Sequence, residues 1–170
     1  MQNVYLLLGT NLGNRLQNLL DATRLICNQC GPLKKTSSIY ESVAWGYTST
    51  NSFYNAVLHL STALSPFELL DKIKHIEKQL GRSEKQILDY EDRLIDIDIL
   101  FVEDLVIDQQ TLQIPHPRLH LRLFTLAPLR ELNGNLIHPL LNKNVSQLFD
   151  ECVDENATQI IYHSDWFGDL

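Results

Sequence analysis

Two aspartates one residue apart, Asp96 and Asp98, lie inside the run Arg93-Leu94-Ile95-Asp96-Ile97-Asp98-Ile99-Leu100-Phe101. Side chains alternate along a strand, so Ile95, Ile97, Ile99 and Phe101 take one face and the two carboxylates the other, with their Cα atoms roughly 6.5 Å apart. Carboxylates so crowded repel each other unless a cation lies between them. Hard oxygen donors in so small a number suit Mg²⁺, which keeps several waters and completes its shell with substrate phosphates. Two such ions, roughly 3.5–4 Å apart, could be bridged by this pair and the phosphates of a nucleotide. An arbitrary D-x-D is more often a solvated strand face; here Arg93 directly upstream and Arg82 at a helix end bracket the acids with cations suited to phosphate oxygens.

Other residues admit two readings. His116, in Ile114-Pro115-His116-Pro117-Arg118, is either structural or, restrained by a proline on each side, a positioned donor to phosphate. Phe53, Asn55 and Phe124 are ambiguous in the same way, since aromatic residues in or beside strands are usually core. Gly9-Thr10-Asn11-Leu12-Gly13-Asn14 joins a strand to a helix, but lacks the Lys and Ser/Thr of a phosphate loop and reads as a tight turn. Cys27 and Cys30 form a C-x-x-C that closes a helical pattern with no second pair to complete a zinc site, so they read as packing.

The elements that must position these residues follow from periodicity. Residues 4–8 are a short apolar strand, and Asn14 can cap a helix with Leu16, Leu19, Leu20, Ile26 and Cys27 at helical spacing. Residues 35–44 and 53–62 read as strands, separated by a polar loop carrying Trp45 and Tyr47. Ser65-Pro66-Phe67-Glu68 combines an N-cap, a proline at the first helical position and a capping-box glutamate. Leu69, Leu70, Ile73, Ile76 and Leu80 form that helix's buried stripe, and Gly81 is a natural residue to end it. The acidic strand, 94–102, follows, with a tight return at Glu103-Asp104 into a hairpin strand at 105–107. The order βαββαβ is that of an α+β, ferredoxin-like split-βαβ sandwich. Helices near 124–132 and 145–151 and a last strand at 159–163 complete it.

The chain has 170 residues, a length that suits one domain, 1–170, with a core at about 4–150 and an extension at 151–170. Hydrophobic residues make up 44% and charged residues 21%, and the formal net charge is −7, a composition that suggests neither disorder nor a membrane protein. No apolar run approaches the roughly 20 residues of a bilayer span. The N-terminus has no basic region of a secretory signal, and an odd cysteine count argues for reduced thiols, so a cytoplasmic protein is expected. The 14 Lys and Arg are scattered, which argues against nucleic acid as a partner.

Five stretches in order together resemble the 6-hydroxymethyl-7,8-dihydropterin pyrophosphokinase family. They are Leu8-Gly9-Thr10-Asn11-Leu12-Gly13; Phe53-Tyr54-Asn55-Ala56-Val57; Ile76-Glu77-Lys78-Gln79-Leu80-Gly81-Arg82; Arg93 to Ile99; and Ile114 to Arg118 with Arg122-Leu123-Phe124. The resemblance implies transfer of the diphosphoryl group of ATP to the hydroxymethyl oxygen of the pterin, giving the pterin diphosphate and AMP in folate biosynthesis. It implies that Asp96 and Asp98 bind two Mg²⁺, with Asp96 also near the pterin, and that Arg82 and Arg93 are catalytic and approach the triphosphate. His116 and Arg122 would contact the nucleotide, with Glu77 and the backbone near Ile99 close to it. The pterin would lie between Phe53 and Phe124, with Asn55 on its polar edge and Val43, Ala44 and Trp45 closing over it.

The chain departs from the family pattern within 82–93, a polar stretch long enough to act as a lid. Glu91-Asp92 replaces a common Gly-Pro or similar pair, and Glu84 and Thr111 occupy places that are often basic, so extra acids would weaken ATP binding unless the metals or Arg93 offset them, which bears on the loop's contacts, a stacking role for Tyr90 among them. Two other functions compete. A palm-type nucleotidyl transferase also places paired aspartates on such a sheet, but would release diphosphate. A non-catalytic ferredoxin-like RNA or ligand module would, for RNA, need exposed aromatics interleaved with cations where this chain has Asp96 and Asp98.

Overall fold

The computed structural model describes residues 1–81 and 91–168. The chain opens with β1 (Gln2–Thr10) and α1 (Arg15–Gln29), then β2 (Leu33–Thr36), β3 (Ile39–Ser42), β4 (Phe53–Thr62) and α2 (Pro66–Gln79). After the segment 82–90 come β5 (Asp96–Val102), β6 (Ile107–Gln109), β7 (Leu112–Ile114), a 3₁₀ turn at Leu119–Leu121 and α3 (Leu123–Asn133). β8 (Ile137–His138), β9 (Lys143–Asn144), α4 (Val145–Asp150) and β10 (Gln159–Tyr162) end it. The architecture is mixed α and β, with four α-helices among the described residues. None of the described helices is long and apolar enough to cross a membrane.

The main sheet runs β10-β3-β4-β1-β5 with β2 also on β4, every pairing antiparallel. Alternation splits β1 between two cores: Val4, Leu6 and Leu8 pack with Leu19 and Ile26 of α1 and Ile73 and Ile76 of α2, while Tyr5 and Leu7 pack with Leu126 and Leu129 of α3. The helices start where side-chain caps satisfy orphan amides. Asn14 accepts from the Gln17 amide at the head of α1, and Ser65 and Glu68 form the expected capping box on α2. Gly81 follows α2 with a φ of 93°, which a side chain would strain. Cys27 and Cys30 are free thiols, and burial pushes Cys30 up to about 11, as packing residues would be.

Three expectations need correction. The strand at 35–44 is interrupted between β2 and β3, because the Ser37 hydroxyl accepts from the Val57 amide (2.9 Å) and donates to the Ser38 carbonyl, while Glu131 of α3 captures the Ser38 amide and hydroxyl. Hydroxyls and a carboxylate there take the place of regular ladder bonds. Phe101 does not share the isoleucine face. Leu6 pairs with Ile99 but Tyr5 with Phe101, so Leu100 is an extra residue, and this bulge swings Leu100 and Phe101 together into the α3 core. Residues 105–107 do not form a hairpin strand on β5; Glu103 turns with a φ of 49° and is bonded back to Asn3, and β6 pairs with β7 in a separate ribbon. The C-terminal extension packs: β10 pairs with β3, and the Trp166 indole N–H donates to the Ser37 carbonyl at 2.8 Å.

Candidate functional site

One face of the sheet forms the floor of a cavity of about 540 Å³. Asp96 and Asp98 rise from β5 opposite Gly9 and Leu7 of β1, which in turn oppose Asn55 and Val57 of β4. Gly9 keeps the centre low; a β-carbon there would stand 3.4 Å from Asn55 Oδ1 and 3.8 Å from the Phe53 ring. The two carboxylates are 26% and 32% exposed, open to the cavity yet shielded from bulk water, which strengthens their interaction with any cation that enters.

Basic side chains surround them. Arg93 Nη1 lies 2.7 Å from Asp96 Oδ2, and Asp98 Oδ2 faces His116 Nε2 at 3.9 Å and Arg122 Nη1 at 4.0 Å. The His116 amide donates to the Leu100 carbonyl and its Nδ1 accepts from the Arg118 amide at 3.2 Å. That arrangement leaves the proton of the neutral ring on Nε2, directed toward Asp98. Burial, aided by the charge of Arg122, lowers His116 to about 4, so at neutral pH it is a donor without charge. The Arg122 guanidinium lies 4.5 Å from the centre of the Trp45 ring and 5.5 Å from that of Phe124, a cation–π arrangement that orders both.

Beside Arg122 the lining is largely apolar: Val43, Trp45, Phe53 and Phe124, with Asn55 among them. Asn55 Nδ2 donates to Ser42 Oγ at 2.9 Å and, more weakly, to the Tyr40 carbonyl, so the amide is oriented by β3 before any ligand meets it. The structure thus gathers Asp96, Asp98, Arg93, His116, Arg122, Val43, Trp45, Phe53, Asn55 and Phe124 around one space. Glu77 and Ile99 are not in its lining. Glu77 is buried on α2 and accepts from the Ile97 amide at 2.8 Å, fastening α2 to the acidic strand, and Ile99 faces the helices. Ala44 is half-buried between two lining residues. Arg82, Glu84 and Tyr90 lie outside the described residues, and Thr111 is exposed in the β6–β7 turn.

Sequence reasoning missed a second layer. The turn after β1, read as simple, is a clamp: Asn11 donates its amide to the Arg93 carbonyl and accepts the Arg93 amide on Oδ1 at 2.7 Å. Asn18 Nδ2 bridges the Leu12 and Leu94 carbonyls at 2.9 and 3.0 Å. Side-chain amides at Asn11 and Asn18 were the available signal. Among the described residues no group of three or more His, Cys, Asp and Glu side chains converges as a metal site. A hard cation on Asp96 and Asp98 would therefore draw further ligands from water and phosphate, which suits Mg²⁺.

A model of the 7,8-dihydro-6-hydroxymethylpterin-pyrophosphokinase family matches residues 5–134. The chain is 42% identical over 151 residues to 2-amino-4-hydroxy-6-hydroxymethyldihydropteridine pyrophosphokinase of Aquifex aeolicus, covering 89% of this chain and 92% of that protein. The enzyme of the same name from Bacillus subtilis is 39% identical over 78% of this chain and 79% of its own length. The folic acid synthesis protein fol1 of Pneumocystis carinii is 38% identical over 93% of this chain, which spans only 21% of that longer protein. Among solved structures, HPPK-DHPS of Plasmodium falciparum superimposes with a TM-score of 0.74 at 20% identity, covering 88% of this chain and 43% of that one.

Proposed function

The chain belongs to the 7,8-dihydro-6-hydroxymethylpterin-pyrophosphokinase family, and on that footing we propose that it transfers the diphosphoryl group of ATP to 6-hydroxymethyl-7,8-dihydropterin, giving the pterin diphosphate and AMP, a step of folate biosynthesis. The observation that carries this reading is the mixed lining of one cavity, which joins paired carboxylates and arginines to aromatic faces and Asn55. A triphosphate and a flat heterocycle need those two environments side by side. The family selects diphosphoryl over nucleotidyl transfer.

In this scheme the pterin stacks between Phe53 and Phe124, with Asn55 on its polar edge and Trp45 and Val43 over it. The hydroxymethyl oxygen attacks the β-phosphorus in line, the bond to the α-phosphate bridging oxygen breaks with its electron pair on AMP, and the hydroxyl proton passes to solvent. Asp96 and Asp98 hold two Mg²⁺, which supply Lewis-acid neutralisation of the phosphates when bound. Arg93 meets the triphosphate beside Asp96, as does Arg82, and neutral His116 donates through Nε2 while Arg122 contributes fixed charge. No residue need act as a strong base, because positioning and charge neutralisation carry most of phosphoryl transfer.

On the same reading the sheet is ferredoxin-like once β2 and β3 are counted as one interrupted strand. Residues 1–170 then form a single pyrophosphokinase domain acting in the cytoplasm on small-molecule substrates. Phosphorus NMR of the protein with ATP, Mg²⁺ and the pterin tests the function. AMP and a new diphosphate ester, both requiring the pterin, are expected; ADP or free diphosphate as product would refute it.

A further inference from the structure

Two groups of side chains fasten the loop 43–52, which carries Trp45. Near its middle is a clasp at Asp92, one oxygen accepting from Tyr47 OH at 3.0 Å and Asn11 Nδ2 at 2.7 Å and the other from Asn51 Nδ2 at 2.6 Å. At its base, directly before Phe53, the anchor is Glu41 of β3. One Glu41 oxygen accepts from the Ser52 hydroxyl and from Arg15 Nη1 at 3.3 Å, and Arg15 also donates to the Ser52 carbonyl at 2.9 Å. The second Glu41 oxygen accepts from Gln159 Nε2 at 3.0 Å. The Ser52 hydroxyl, then Gln159 and then Arg15 hold the Glu41 carboxyl below the ordinary glutamate range, so it meets these donors as a carboxylate.

Gln159 belongs to a part of the chain outside the cavity lining. It opens β10, which lies beyond the stretch 5–134 that carries the family match and pairs with β3 at the edge of the sheet, Gln159 opposite Glu41 and Ile160 opposite Tyr40. Without β10, β3 would present an unpaired ladder edge. Next across the sheet, β3 sets Tyr40 opposite Asn55 and Ser42 opposite Phe53, and it orients the Asn55 amide through Ser42 Oγ and the Tyr40 carbonyl. Tyr162 of β10 meets the Tyr54 ring edge-on at 6.2 Å, and that ring also carries the Arg15 guanidinium at 3.7 Å. The chain just past β10 is pinned to the start of β3, since Thr36 donates its hydroxyl to the Ser164 carbonyl at 2.7 Å and the Trp166 indole donates to the Ser37 carbonyl.

We propose that the C-terminal strand β10 is part of the pterin site, with Gln159 and Glu41 as positioning residues that set Phe53 and Asn55 for the heterocycle. The inference rests on the pyrophosphokinase reading of the cavity. The effect of β10 passes through β3. Its ladder fixes the backbone that presents Ser42 and Tyr40 to Asn55, and Gln159 fixes the carboxylate that holds Ser52 at the root of Phe53. A side chain that faces a ligand is only as well placed as the groups behind it. The acidic pair stands on β5, at the opposite edge of the sheet, with β4 and β1 between. A loss at β10 therefore falls on the pterin and spares the nucleotide.

The test uses the full-length protein with substitutions at the exposed Gln159: Gln159→Glu, Gln159→Ala and Gln159→Lys, with His163→Ala, just past the strand, as a control. 6-Hydroxymethylpterin is titrated by its own fluorescence with Mg²⁺ and a non-hydrolysable ATP analogue present, beside steady-state assays and thermal denaturation. Gln159→Glu, which sets a second carboxylate against Glu41, should weaken pterin binding about tenfold, and Gln159→Ala about threefold, the scale of one exposed hydrogen bond. Gln159→Lys, which returns a donor to the carboxylate, should recover most of that loss. The KM for the pterin should rise in step with the loss of binding, while kcat and the KM for ATP change by less than about twofold. His163→Ala should leave all of these unchanged. A Gln159→Glu protein that lowered only the denaturation midpoint, or that lost pterin and ATP affinity equally, would overturn the inference while leaving the function standing. Wild-type protein that bound no pterin with the nucleotide analogue present would overturn the function itself.

Discussion

In the cavity Asp96 and Asp98 project from β5, whose backbone is locked into the β1 ladder, whereas Trp45 projects from a loop to which the side chains of Arg15, Asp92 and Arg122 are fastened. The first arrangement places charge without reference to any ligand and moves little. The second gives the aromatic wall a conformation that depends on a handful of polar bonds, each open to competition from water. Chemistry that needs fixed charge is built on the strand, and of the faces for a flat substrate Phe53 stands on β4 and Phe124 on α3 while Trp45 alone is carried by the adjustable loop. Substitutions at the two ends should therefore fail in different ways.

The largest effect is expected at the strand end. Asp98→Ala should reduce turnover by about a thousandfold or more, with the unfolding midpoint little changed because Asp98 contributes no core volume. Steady-state assays beside thermal denaturation check both halves, and near-normal turnover would remove Asp98 from the proposed metal site. At the recognition end, Phe124→Ala should cost less, about tenfold in the KM for the pterin, the scale of one lost aromatic stacking face. A loss confined to kcat would place Phe124 with the charged end and blur the distinction.

The smallest effect separates the scaffold from the clasp. His59, stacked 4.5 Å on Tyr5, and His138, against Phe101, are both pushed below the ordinary imidazole value, by burial first. A histidine whose folded pKa lies below its unfolded value of about 6.5 favours the neutral form in the fold. Its contribution is complete above 6.5 and is lost progressively as pH falls toward the folded value. Calorimetry should show the unfolding midpoint falling by a few degrees between pH 7 and pH 5. The clasp in which Asp92 accepts from Asn11, Tyr47 and Asn51 should survive that interval, since hydrogen bonds hold its carboxyl down at about 2. Pterin binding, measured with the nucleotide analogue present, that collapsed in step with the midpoint would contradict the separation.

What was legible in the sequence follows the same division. Period-two alternation placed Asp96 and Asp98 on one face with Ile97 and Ile99 behind them, and the capping signals at Asn14 and Ser65 marked both helix starts. The bulge at Leu100 was not legible, because a single inserted residue leaves an apolar run apolar. The break at Ser37-Ser38 depends on Glu131, far away in the chain, and serines suit a strand edge as well as an interruption. The clasp was hidden for a similar reason: Asn11, Tyr47, Asn51 and Asp92 come from three separate stretches, and only the fold brings them together.

The most direct test of the account is a crystal structure with Mg²⁺, a non-hydrolysable ATP analogue and the pterin. The account predicts the heterocycle between Phe53 and Phe124, metal on Asp96 and Asp98, and the hydroxymethyl oxygen in line with the β-phosphorus. An acceptor oxygen facing the α-phosphorus, or a nucleotide seated away from the two aspartates, would contradict it.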